Sequence, residues 1–175
     1  RRVLFRSYNP VPSAVVRNTA AKTAPTDTMC GIAGIIALTE KGAAALPSLE
    51  AALIPLCHRG PDASGTFRDG WLALGHTRLS IIDTGATGSQ PMTDPTGRFT
   101  VIFNGEFFNY REQRDELRRR GIEIRSESDT EVLLHWYMLE KEQCLRRING
   151  FFAFAIYDRA EKSLFVAREI GRAHV

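Results

Sequence analysis

The chain has 175 residues, 43% hydrophobic and 25% charged, enough for one packed core and short for two domains. No stretch approaches eighteen apolar residues, so no transmembrane helix is predicted. Three cysteines without a C-x-x-C pattern disfavour a disulfide framework or a zinc site and fit a reducing cytoplasm. The net charge of +3 is concentrated at the start: Arg1, Arg2, Arg6, Arg17 and Lys22 against Asp27 leave residues 1–28 at +4 and residues 29–168 at −1. The body therefore carries no electrostatic signature of nucleic-acid binding.

The basic start lacks the continuous apolar run of a secretory signal. RRVLFRS at the start and IGRAHV at the end are what one sequencing-library adapter encodes, read forwards and as its reverse complement. Residues 8–28 are rich in Pro, Ala, Thr and Ser without periodicity. They read as in-frame sequence ahead of an initiator Met29, with a transit or pro-segment as the alternative. The expected organisation is a non-native or disordered leader over 1–28, one domain over 29–168, and an adapter-derived tail over 169–175, the native chain being cut off near Arg168.

Gly31 to Leu38 is a short apolar run that suits a buried strand. Leu46 to His58 is helix-like, with Leu46, Leu49, Leu53, Leu56 and Cys57 on one face, and Arg59-Gly60-Pro61-Asp62 ends it. Trp71 to Gly75 reads as a strand, Thr84 to Gly97 as a loop, and Phe99 to Phe103 as a strand. Tyr110 to Arg120 is a charged helix with Gly121 as its C-cap. Ser128 to Glu131 fits a capping box that opens a helix to about Lys141. Phe152 to Tyr157 and Ser163 to Ala167 read as paired strands. Strands and helices without regular βαβ alternation indicate an α+β fold.

Four local signals carry chemistry, each with a plain structural alternative. Trimming Met29 would leave Cys30 with a free α-amine of pKa about 7.7–8.0 beside a thiol of about 8.5. That amine can serve as general base for its own thiol; the alternative is a buried structural cysteine. Arg78, at a strand end, can grip a carboxylate with two parallel hydrogen bonds or form a structural salt bridge. Asn104-Gly105 can converge a side-chain amide and a backbone N–H on a developing oxyanion or form a type I′ turn. Asp129 stands at a helix start, where it can bind an ammonium group or simply assist Ser128 in capping. His58, His76 and His135 lack ligand-like spacing and read as structural, and no metal site is expected.

Taken in order, MCGIAGI, CHRGPDASG, GHTRLSIID, FNGEFFNYRE, SESDTEVLLH and GFFAFAIYD resemble the successive motifs of asparagine synthetase glutaminase domains, which are class II glutamine amidotransferases. The resemblance runs from Met29 to Arg168. It implies an N-terminal nucleophile hydrolase fold, a four-layer αββα sandwich. It also implies roles. Cys30 would attack the side-chain amide of glutamine; Asn104 and Gly105 would form the oxyanion hole. Arg78 would hold the α-carboxylate, Glu106 and Asp129 the α-ammonium, and backbone groups of Leu79, Ser80, Ile81 and Ile82 would line the pocket. No cofactor is implied for this domain. ATP and Mg2+ would belong to a C-terminal synthetase domain, absent here, that receives the ammonia; a homodimer is left open.

Pro61, Leu79 and Glu106 follow the synthetase pattern instead of that of sugar-phosphate amidotransferases, whereas Phe107-Phe108 stands where Ile-Tyr is usual. Glu169 after Arg168 departs from the usual Ala-Arg-Asp continuation. A relative with another acceptor, and a non-enzymatic relative, are the competing readings.

Overall fold

The computed structural model describes residues 2–8, 29–80 and 85–169. Among them eight strands form two sheets. In the larger, β1 (Arg2–Tyr8), β8 (Ser163–Glu169), β7 (Gly150–Asp158), β6 (Phe99–Phe107) and β5 (Met92–Thr93) lie side by side in that order. In the smaller, β4 (Leu72–Arg78) lies between β2 (Gly31–Ile36) and β3 (Ala63–Asp69), antiparallel to both. The helices are α1 (Glu40–Ala43), α2 (Leu49–Leu53), α3 (Tyr110–Arg119) and α4 (Asp129–Glu140).

Side-chain alternation on the strands builds the layers. Val101 and Phe103 of β6, Phe154 and Ile156 of β7, and Phe165 of β8 pack against Leu117 of α3 and Val132, Leu133 and Trp136 of α4. Ile102, Ala155 and Leu164 turn to the opposite face and meet Leu72 and Leu74 of β4. Leu53 of α2 packs on β4 at Gly75, and the Thr77 hydroxyl donates to the Leu56 carbonyl at 3.1 Å. The order helix, sheet, sheet, helix is the αββα sandwich, and each large side chain buried in it contributes about 1.5–3 kcal/mol.

Several elements differ from their predicted extent. The run from Leu46 is not one helix: 3-10 turns at Leu46–Ser48 and Ile54–Leu56, each with a proline at its start, flank the short α2. The 3-10 pitch rotates the register; Leu46, Leu49 and Leu53 are buried, while Cys57 is exposed. The strand β3 has no counterpart in the prediction, because its composition, ASGTFRD, gives an exposed, polar face with little apolar alternation. Residues 2–8 pair in parallel with β8 over its whole length. An otherwise open sheet edge presents a row of backbone donors and acceptors, and Val3 and Leu4 alternate into the two core layers. The strand β8 also runs one residue beyond Arg168.

Candidate active site

The sandwich brings distant segments to one end. Cys30 immediately precedes β2, and the pairing of Gly31 with Thr77 sets it beside Arg78 at the end of β4. Asn104 and Gly105 lie within β6, opposite Ala153 and Phe152 of β7, so they do not form the hairpin turn that their dipeptide suggests. Gly105 has φ of +153°, and a Cβ there would collide with the Phe151 carbonyl oxygen, so only glycine fits. Asp129 opens α4, capped by Ser128, whose hydroxyl accepts from the Thr130 N–H at 3.1 Å. Cys30, Arg78, Asn104, Gly105, Glu106 and Asp129 all line one cleft, together with Leu79.

The predicted lining segment is only partly in view. The Leu79 N–H donates to Cys30 Sγ at 3.3 Å, whereas the Ser80 N–H is engaged by Asp62 Oδ2 at 2.7 Å. Ile81 and Ile82 lie outside the described residues. Capping at α4 also departs from the predicted box. Glu131 does not return to the Ser128 N–H; its carboxylate takes the backbone N–H groups of Arg125 and Ser126.

Electrostatics divide the cleft. Burial pushes the Cys30 thiol above its ordinary range, more than the Leu79 N–H pulls it down. The thiol therefore rests neutral and needs a base to become a nucleophile. His76 is not that base. Burial holds it near a pKa of about 4, and its Nε2 is bonded to the Phe103 carbonyl at 3.2 Å. No histidine is among the described residues lining the cleft. Asp129, 6% exposed, is pushed up to about 6 by burial and by nearby Glu106, against the Phe107 N–H at 3.2 Å. The Asn104 Oδ1 is buried without a hydrogen-bond partner, so this end of its amide is not committed to the protein's own network. One guanidinium and one buried carboxylate in the same cleft suit a small zwitterion bearing both an α-carboxylate and an α-ammonium.

Sequence reasoning passed over the residues that brace this arrangement. Arg59 Nε donates to the Cys30 carbonyl at 3.3 Å and the Asp62 N–H to the Arg78 carbonyl at 3.0 Å, so the Arg59–Asp62 loop holds the nucleophile and the arginine together. Its legible signal was the compact RGPD turn, read as a helix breaker and as part of the CHRGPDASG motif, with no bracing role assigned to Arg59 or Asp62. Gln90 lines the cleft from a stretch that reads as loop, and nothing local distinguishes it.

A family model described as "Glutamine amidotransferase domain" matches residues 29–172. The chain belongs to that family. It is 38% identical over 143 residues, 81% of this chain, to asparagine synthetase [glutamine-hydrolyzing] 3 of Bacillus subtilis. It is 42% identical over 114 residues, 65% of this chain, to asparagine synthetase [glutamine-hydrolyzing] 1 of the same organism. It spans only 23% and 18% of those relatives' lengths. A solved structure of glutamine phosphoribosylpyrophosphate amidotransferase from B. subtilis, complexed with ADP and GMP, overlays with a TM-score of 0.52. That overlay has 22% identity and covers 75% of this chain and 35% of that one; it supports the sandwich fold alone. This glutamine amidotransferase domain is thus homologous to the glutaminase half of asparagine synthetases. Among its described residues no helix is long and apolar enough to cross a membrane.

Proposed function

We propose that Cys30 is the nucleophile of a glutaminase reaction whose general base is its own α-amine, freed when Met29 is removed. The observation that carries this reading is the neutral, half-buried thiol in a cleft shared with Arg78, Asn104, Gly105 and Asp129 and free of histidine among its described lining. Arg78 would take the glutamine α-carboxylate, and Asp129 with Glu106 the α-ammonium. The amine accepts the thiol proton as Sγ attacks the side-chain carbonyl carbon. The oxyanion that forms is met by the Asn104 amide and the Gly105 N–H. Collapse breaks the C–N bond, and the amine's proton leaves with ammonia. Water then attacks the glutamyl thioester, releasing glutamate and restoring the thiol.

The larger enzyme that this reading implies passes the ammonia to an ATP-using synthetase domain, with aspartate as acceptor, in the cytoplasm. Its support is that the relatives are glutamine-hydrolysing asparagine synthetases, of whose lengths this chain spans under a quarter; the acceptor, the ATP and the compartment are part of the proposal.

The test uses the full chain carrying a specific protease site immediately ahead of Cys30. After cleavage, a glutamine-like diazo ketone is expected to leave one adduct, mapped by mass spectrometry to Cys30, and glutamine hydrolysis is expected to appear. Cys30→Ala should abolish both without unfolding the protein. Turnover by the uncut chain would overturn the amine as base, and turnover by Cys30→Ala would overturn the nucleophile.

A further inference from the structure

Gln90 touches both ends of the cleft. Its Oε1 accepts from the Phe103 N–H at 2.6 Å, and its Nε2 donates to the Thr130 hydroxyl at 3.1 Å. Phe103 precedes Asn104, and Thr130 follows Asp129. A backbone N–H can only donate, so the amide's orientation is fixed: the oxygen faces β6 and the nitrogen faces α4. The strand β5 pairs with β6 only at Thr100 and Val101. At Phe103 the Gln90 side chain therefore does what a neighbouring strand would do. The residue's own backbone lies against the small sheet, its carbonyl oxygen so close to β3 that a Cβ at Gly65 would collide with it. One side chain, starting beside the small sheet, thus spans from the strand that carries Asn104 and Gly105 to the helix that carries the buried carboxylate.

The geometry points to Gln90 as a positioning residue that sets the distance between the oxyanion pair and Asp129, and hence the length of side chain the cleft accepts. This rests on the glutamine reading above. A substrate one methylene shorter cannot reach both ends while the span is fixed, and loosening the span relaxes that discrimination. The two bonds also divide by function. Losing the Phe103 contact disturbs the oxyanion strand and lowers kcat; losing the Thr130 contact disturbs the ammonium end and raises KM.

The test compares the full chain, cleaved ahead of Cys30, with its Gln90→Met and Thr130→Val variants. Cys30 is labelled with a glutamine-like diazo ketone and with the analogue one carbon shorter. The parent is expected to favour the longer reagent, and Gln90→Met to narrow that preference at least fivefold while lowering kcat/KM for glutamine about tenfold, the scale of one or two hydrogen bonds. Thr130→Val, which removes the acceptor of the Gln90 amide together with the hydroxyl's 3.5 Å contact to Asp129 Oδ1, should raise KM about fivefold with kcat within twofold. If Gln90→Met does not fold, Thr130→Val decides by that split. An unchanged preference and unchanged kinetics in folded variants overturn the inference, as does a fall in melting temperature alone. A parent that neither reagent labels overturns the glutaminase reading itself.

Discussion

Asp129 and Glu131 stand two positions apart at the start of α4, 6% and 7% exposed, and the protein treats them in opposite ways. Burial alone would raise both. Around Glu131 that is outweighed by His135, by the Ser126 hydroxyl at 2.5 Å and by the N–H groups of Arg125 and Ser126, which bring it to about 2. Around Asp129 the Phe107 N–H at 3.2 Å and the Thr130 hydroxyl at 3.5 Å are more distant donors, Glu106 adds to the burial, and the group is left at about 6. Both gain from the helix N-terminus, so the helix does not explain the difference; the supply of donors does. Glu131 ties the Arg125–Ser126 turn to the helix and is saturated. Asp129 faces a cleft and has room for a cation. A buried carboxylate left short of donors at a cleft is a site candidate, and a saturated neighbour is its scaffold.

The sharpest break of this contrast is Asp129→Asn. If the carboxylate serves an incoming ammonium, kcat/KM for glutamine should fall about 100-fold, the scale of losing one partner of a buried charge pair, while thermal melts at pH 7 stay level or rise. A lowered melt with intact kinetics would make Asp129 another scaffold residue. Glu131→Gln should reverse the pattern. The drop of Glu131 from 4.5 to about 2 corresponds to about 3 kcal/mol of folded-state stabilisation. That contribution is present above 4.5 and lost as pH falls through about 2. Urea unfolding at pH 7 should show Glu131→Gln less stable by up to that amount, and equal midpoints would erase the distinction. The smallest expected effect is in pH. Asp129 is raised, so the stability its protonated form contributes is present below 3.8 and lost as pH rises through about 6. Binding an ammonium group would need the ionised form. KM should therefore climb as pH falls below about 6, approaching tenfold per pH unit, and Asp129→Asn should flatten that slope. A flat profile in the parent would show that the carboxylate does not meet the substrate's charge.

The strands with apolar alternation, β6, β7 and β8, and the capped helices α3 and α4 were legible because their own residues decide them. The strand β3 was not: its polar residues are extended because β4 pairs with them, a fact held by the partner. Asn104-Gly105 shows the same override from the other side. Its local preference is a turn, and the ladder with Ala153 and Phe152 draws it straight. The candidate site residues Cys30, Arg78 and Asp129, which the structure brings into one cleft, were picked out by residue type and motif order. Gln90, Arg59 and Asp62 act through contacts with segments remote in sequence; the RGPD turn marks where Arg59 and Asp62 lie but not what they touch, and no local pattern announces Gln90.

Met29 lines the same cleft as Cys30, so on the proposed mechanism the residue whose removal would free the amine also sits where substrate would lie. Uncut, the chain would be its own plug as well as its own block on the base, and one hydrolysed peptide bond would lift both. A cell that fails at this single trimming step would hold a folded, abundant and silent protein, and the amount of chain present would say nothing about the amount of ammonia made.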